Sequence, residues 1–321
     1  MAGMIVLFTM YTVSLPAQAD SVWGVGDKAP ALKIEKWLKS SGAADLQKGK
    51  VYLIDLWATW CVPCIAGMPH LGQLQQQYKD SGLEVIGITS NDPYGNTLEK
   101  VINFVKERNN LMQYSIAWVP ESSKKELTGI FVHPWMQKAG TMNLPTVFLI
   151  DRSGYIAFIG DPHTVDETLK EVMDGHHDLA KLKANYLAGL AAEKTCKLFE
   201  TALKENDFDK ATIFAKRIIT DYAYVKANTY LIIGSSIGEA AKTKSINDEL
   251  MNIGFSAAMK GVIAIKFESP GFLSTLASLY AAKKDYAQAI ITQSMAVSIS
   301  EGGMKEKQKE ELAQYKAMLS K

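Results

Sequence analysis

Residues 57 to 64 read Trp-Ala-Thr-Trp-Cys-Val-Pro-Cys, and two of the chain's three cysteines fall inside that stretch. A cysteine attacks a disulfide only as the thiolate, so a reactive pair needs something that stabilises the sulfur anion. Cys61 stands where an apolar, strand-like run gives way to a helix-like one. Its sulfur would there face unpaired backbone N–H groups and the positive end of a helix dipole. Cys64 lies one turn on, within reach of a mixed disulfide carried by Cys61. Pro63 suits the first turn, where its missing N–H would have had no partner in any case. The pair reads as nucleophile and resolving thiol. Three other readings compete. A zinc site needs further ligands at metal spacing, and Cys196 is remote while the five histidines offer no partner set. A permanent structural disulfide closing so small a loop would restrict the unfolded chain very little. Two buried, inert cysteines are the last, and the tryptophans and proline around them argue against it.

The elements that must position this pair are legible between Trp23 and about Gly160, where strand-like and helix-like stretches alternate as in an α/β domain. Val51–Trp57 and Leu83–Thr89 read as buried strands. A helix is expected from near Cys61 to about Tyr78, with Gly82 as its stop signal. Leu98, Val101, Ile102 and Val105 recur at i, i+3, i+4 and i+7, which predicts a second, amphipathic helix. Thr146–Asp151 and Tyr155–Ile159 flank the turn signal Asp151-Arg-Ser-Gly154 and predict an antiparallel hairpin. Asp166–Met173 predicts a closing helix ended by Gly175.

After Gly175-His-His-Asp178 the strand-like runs thin out, and Ala, Leu, Lys, Glu and Gln take over at helical spacing. Asn206-Asp-Phe-Asp-Lys-Ala-Thr-Ile213 and Lys284-Asp-Tyr-Ala-Gln-Ala-Ile-Ile291 resemble each other. Around the second, Leu276–Ile290 is similar to the tetratricopeptide (TPR) pattern of interlocking small and large residues. The stretch around Asn247–Lys260 gives no clean third copy, so an irregular bundle stands as the competing reading. At the other end, residues 1–19 form a short apolar core closing on Ala17-Gln18-Ala19, a pattern cut by signal peptidase before Asp20. No Lys or Arg precedes that core, and an apolar N-terminal strand or helix is the alternative. The segment is shorter than the roughly 20 apolar residues of a bilayer-spanning helix. Expected boundaries are therefore a signal peptide at 1–19, an α/β domain at 20–176 and an all-α, TPR-like domain at 177–321. With Lys+Arg 35 against Asp+Glu 34, nothing electrostatic argues for a nucleic-acid partner or an anionic membrane surface.

Leu56-Trp-Ala-Thr-Trp-Cys-Val-Pro-Cys64 with Met68-Pro69 downstream resembles the active-site loop of the thioredoxin superfamily, most of all its exported TlpA/ResA-type thiol–disulfide reductases. Gly26-Asp-Lys-Ala-Pro30 is similar to that family's leading segment. Asn143-Leu-Pro-Thr-Val-Phe-Leu-Ile-Asp-Arg-Ser-Gly154 is similar to its cis-proline loop and hairpin, and the residues between the second strand and that loop fit its extra central segment. The resemblance covers about the first 160 to 175 residues. It implies a thioredoxin-like α/β fold, a central mixed sheet flanked by helices. It also implies Cys61 as attacking thiol, Cys64 as resolving thiol and redox-linked disulfide partner, and Pro145 as the cis-proline facing them. Trp60, Val62, Pro63, Leu144 and Thr146, flanking those two loops, become the expected client-contacting positions. The backbone beside Pro145 would offer strand-like hydrogen bonds to an extended client peptide. No cofactor is implied. Disulfide-containing client proteins and a thiol-donating redox partner are implied, in the periplasm or another extracytoplasmic compartment, without a stable membrane span after signal cleavage.

Asp55 matches the buried acid of thioredoxin, where TlpA/ResA-type chains often carry a neutral residue. An Asp within Leu-Ile-Asp-Leu-Trp is costly to bury charged, so its pKa should rise and let it exchange the proton of Cys64; an edge position with the carboxylate in water is the alternative. Gly67 stands where the family commonly has Glu, which leaves proton handling to Asp55 or water. Pro69 matches the proline that kinks the active-site helix. Trp57 and Trp60 serve equally as core packing or client contact. His70, His133, His163, His176 and His177 form no constellation and read as surface or loop residues. Cys196 reads as a buried small hydrophobe. The rival functions are a thiol peroxidase, whose Pro-x-x-x-Thr-x-x-Cys pattern fails here, and a helical interaction module that keeps a redox-inactive domain as structure.

Overall fold

The computed structural model describes residues 24–39, 45–119, 144–222, 224–265 and 269–320, with positions 135, 139 and 267. Residues 1–19, His133 and Asn143 lie outside the described residues, and so does most of the central segment between residues 120 and 143. The chain divides into two units at Leu179/Ala180.

The first unit is built on strands β1 (Lys36–Lys39), β2 (Val51–Leu56), β3 (Leu83–Thr89), β4 (Ser115–Trp118), β5 (Thr146–Ile150) and β6 (Ile156–Gly160). They form one mixed sheet in the order β1-β4-β3-β2-β5-β6. β2 pairs parallel with β3 and antiparallel with β5, and β5 pairs antiparallel with β6. A strand in the middle of a covered sheet has water on neither face, which is why β2 is an unbroken apolar run apart from Asp55 and is buried at every position. Among the described residues, helices α1 (Val62–Tyr78), α2 (Leu98–Glu107) and α3 (Asp166–Met173) belong to this unit. Val101 and Val105 of α2 are buried, as their spacing requires, and Thr97 caps the helix by accepting the N–H of Lys100. α1 runs through Pro69 to a short 3₁₀ turn, Lys79–Ser81, and Gly82 then takes the left-handed conformation, φ 90°. The hairpin's bounds each differ from expectation by one residue: β5 ends before Asp151, and β6 starts after Tyr155, which bridges to Lys28 instead, and runs on to Gly160.

The second unit is helical among the described residues: α4 (Leu179–Lys204), α5 (Phe208–Thr220), α6 (Ala227–Thr243), α7 (Asp248–Ala264), α8 (Pro270–Ala282), α9 (Tyr286–Ile299) and α10 (Gly302–Leu319). Neighbours α6–α7, α7–α8, α8–α9 and α9–α10 pack together, and so do the alternate pairs α5–α7 and α6–α8. The α4–α5 and α8–α9 turns share one geometry. Asn206 and Lys284 take φ 60° and 62°. The following Asp207 and Asp285 cap α5 and α9, each accepting a backbone N–H at 3.1 Å. The N–H groups of Asp207 and Asp285 return to Ala202 O and Tyr280 O, both at 2.9 Å. The α6–α7 connection lacks this left-handed residue, and Asn247 caps α7 from an extended conformation. Phe199, Ile218, Ile233, Ile237, Leu250 and Leu279 form the main core of the unit. Helices α7 and α8 approach closely at Gly261, where an added Cβ would stand 2.3 Å from Phe272 Cε1.

Candidate active site

β2 ends at Leu56, and the chain crosses Trp57-Ala-Thr-Trp60 to reach α1. Cys61 is the N-cap of α1, with extended φ −79° and ψ 90°, and its Sγ accepts the backbone N–H of Cys64 at 3.3 Å. The sulfur therefore occupies the place where a capping oxygen normally stabilises a helix start, and where a developing thiolate meets N–H donors and the dipole. Cys61 and Cys64 are joined as a disulfide, with Cα atoms 5.3 Å apart. Both residues are buried, at 3% and 2% exposure, while Trp60 (40%), Val62 (73%) and Pro63 beside them are exposed.

The Leu144–Pro145 peptide is cis. Thr146, next in the chain, pairs with Leu56, so Pro145 sits at the sheet end from which β2 feeds the cysteine loop. Leu144 and Pro145 are half-buried; Thr146 is buried at the start of β5, which leaves its side chain out of the exposed surface around the pair.

A polar network that sequence reasoning missed holds the cysteine loop. Asn96 Oδ1 accepts the N–H and hydroxyl of Thr59, at 2.8 and 2.9 Å. Asn96 Nδ2 donates to Thr89 Oγ1 and Ser90 O, and the Thr89 hydroxyl donates to Trp57 O at 2.7 Å. Trp60 Nε1 donates to Asp92 Oδ2 at 2.6 Å, and the Trp60 ring meets Tyr94 edge-on, with centroids 5.3 Å apart. The β3–α2 loop is thus the scaffold for the approach to Cys61.

Asp55 takes the buried of its two expected placements: it is 1% exposed, flanked by Gly87 on β3 and Val147 on β5. Burial raises its pKa from 3.8 to about 7, and the Tyr114 hydroxyl opposes that rise by hydrogen bonding. Neither Asp55 Oδ2 nor Tyr114 Oη completes a hydrogen bond of good geometry among the described residues. A carboxyl poised near neutrality suits proton exchange.

Two expectations about histidine change. His70 and His163 stack, with centroids 6.1 Å apart, and His70 Nε2 and His163 Nδ1 pair with Asp166 and Asp161 at 2.8 and 2.9 Å. Residues 93 apart in sequence leave no local signal of such a pair. The Gly67 position lies against this group, 3.4 Å from His163 Cε1 to where a Cβ would stand. His177 Nε2 contacts Asp151 Oδ2 at 3.2 Å and is half-buried, tying the end of α3 to the hairpin. Among the described residues no group of three or more His, Cys, Asp or Glu is arranged to hold a metal ion. Cys196 is buried in α4, and burial, then Glu200 and Glu193, push its thiol up to about 12.

Residues 24–173 match the family model described as Redoxin. Over 159 residues the chain is 25% identical to Protein FixW of Rhizobium leguminosarum, covering 47% of this chain and 67% of that protein. It is 30% identical over 130 residues to Thiol-disulfide oxidoreductase ResA of Bacillus thuringiensis, covering 40% of this chain and 62% of the relative, so the chain spans less than two thirds of that protein's length. A solved structure from Chlorobium tepidum, titled a putative thiol:disulfide interchange protein DsbE, aligns at 22% identity and TM-score 0.35, covering 47% of this chain and 98% of its own.

Proposed function

We propose that this chain, whose residues 24–173 form a thioredoxin-fold Redoxin domain with TlpA/ResA-type relatives, is a thiol–disulfide oxidoreductase that reduces protein disulfides outside the cytoplasm. The observation that carries the reading is the Cys61–Cys64 disulfide at the N-terminus of α1, beside the cis-Pro145 loop. In the reduced protein the Cys61 thiolate attacks one sulfur of a client disulfide. The client S–S bond breaks, one client thiolate leaves, and Cys61 holds the other sulfur as a mixed disulfide. Cys64 gives its proton to Asp55 and attacks Cys61 Sγ. The second client sulfur departs and takes up a proton, and two electrons have passed from the pair to the client. An external dithiol then reduces Cys61–Cys64. Trp60, Val62, Pro63, Leu144 and the backbone at Thr146 are the proposed client contacts.

We assign residues 1–19 to a signal peptide, 20–176 to the redox domain and 177–321 to a TPR-like array that selects clients. Packing between alternate helices and the shared α4–α5 and α8–α9 turns support the array reading. The periplasm or another extracytoplasmic compartment follows from the same family reading; among the described residues no helix is long and apolar enough to cross a membrane. The test is Cys64→Ser, which should trap clients on Cys61 as mixed disulfides, against Cys61→Ser, which should trap none. Equal trapping by both, or a wild-type protein that reduces insulin disulfides no faster than dithiothreitol does alone, refutes the assignment.

A further inference from the structure

Three buried polar atoms on one face of the sheet lack a hydrogen-bond partner among the described residues: Asp55 Oδ2, Trp57 Nε1 and Tyr114 Oη. Asp55 on β2 pairs with Gly87 on β3, Ile116, two residues after Tyr114, pairs with Gly87, and Trp57, just past the end of β2, turns its indole toward the same Gly87. Gly87 leaves a notch at the centre of this set. A Cβ there would stand 3.1 Å from Trp57 Nε1, 3.1 Å from Tyr114 Cε2 and 2.8 Å from Ile116 Cδ1. The missing side chain lets the phenol ring and the indole close in over the strand that carries the acid. Buried polar groups of this kind are few in native structures, and each calls for an explanation. For two of the three, the Tyr114 hydroxyl bearing on the Asp55 carboxyl supplies one.

We propose that Tyr114 is a positioning residue for Asp55: across the Gly87 notch its hydroxyl favours the ionised carboxyl, the form that accepts the Cys64 proton. The inference rests on the thiol–disulfide reading for its consequence, though not for its geometry. Of the elements around Asp55, β3 contributes Gly87 and β5 contributes Val147, neither titratable. Helix α2 contributes Phe104, packed on Trp57 at 5.5 Å between ring centroids. Helix α1 carries the cysteine pair itself. With Cys61 and Cys64 joined, Tyr114, just ahead of β4, is the one titratable side chain among the described residues that bears on the Asp55 carboxyl, and no cation does. A neutral donor therefore stands where charge compensation would otherwise be needed. Because Tyr114 is 3% exposed and its hydroxyl makes no other bond, Tyr114→Phe removes little besides this influence.

The experiment titrates the Asp55 carboxyl by carbon NMR in the oxidised full-length protein, wild type and Tyr114→Phe, and measures the pH profile of disulfide reduction for both and for each in an Asp55→Asn background. Loss of a donor that bears on the carboxyl without completing a hydrogen bond of good geometry should raise the proton affinity of Asp55 by roughly two- to tenfold. The rising limb of the pH profile should move up with it, and Asp55→Asn should abolish the difference. Gly87→Ala, which pushes Tyr114 away by contact, should shift the Asp55 midpoint in the same direction. An unmoved midpoint in Tyr114→Phe overturns the proposal, and so does a profile shift that persists in Asp55→Asn. If the wild type reduces no disulfide, the functional reading fails by itself, and the carboxyl titration still decides the Tyr114 question.

Discussion

Replacing Asp55 by Asn should make the redox unit more stable at neutral pH, and the size of the gain follows from the burial of the acid. The carboxyl pKa is raised from 3.8 to about 7, mainly by desolvation. Below pH 4 the group is protonated in folded and unfolded chains alike and its ionisation costs nothing. Between pH 4 and 7 the unfolded chain loses the proton while the folded one keeps it, so stability falls as pH rises, and above pH 7 the full penalty is in place. Roughly three pKa units at about 1.4 kcal/mol each give about 4 kcal/mol. Asn carries no ionisation penalty, so the stability difference between Asp55→Asn and wild type should grow by about 4 kcal/mol from pH 4 to pH 8.5. Urea unfolding of the oxidised proteins at several pH values, followed by tryptophan fluorescence, reads this directly, because all six tryptophans lie at or before Trp135 and report on the first unit. A difference that stays flat across that range would show that Asp55 meets water or an unseen partner, and would remove the proton acceptor from the mechanism.

Asn96→Ala deletes the side-chain bonds to Thr59, Thr89 and Ser90 and strands buried donors, so it should cost about 2–3 kcal/mol in the same unfolding assay and slow disulfide reduction; an unchanged midpoint would mean the loop is held elsewhere. Gly261→Ala should destabilise the helical unit by about 1–3 kcal/mol, seen in thermal melts by circular dichroism, since the new methyl meets Phe272 at 2.3 Å. Cys196, with its thiol pushed up to about 12, should resist iodoacetamide at pH 8 in the native protein while reduced Cys61 reacts, as peptide mass mapping would show.

Elements with strong periodicity could be read from the chain, and those that depend on distant partners could not. Val51–Leu56, Leu83–Thr89, Leu98–Glu107 and Asp166–Met173 emerge where their patterns place them, because each carries a full apolar run or helical stripe. β1 and β4 have four residues each, too few alternations to stand out, and owe their existence to pairing with each other and with β3. The cysteine pair is legible because its chemistry is local, spanning one helical turn. Its support is not: Thr59 and Asn96 are 37 residues apart, and Tyr114 meets Asp55 only once β2, β3 and β4 lie side by side. The helical half shows the same division. Two turns announce themselves through a shared Asp cap, while the α6–α7 connection uses a different backbone path, with Asn247 as its cap, and matches neither.

The joint at Asn206–Asp207 and the joint at Lys284–Asp285 are one piece of hardware used twice, with the four helices α5 to α8 between them. A chain that reuses its corner can gain or shed a pair of rods by duplication or deletion without inventing a new bend. If the helical half is the array proposed above, such a corner lets its length change in whole steps while the sulfur chemistry upstream keeps its own sequence.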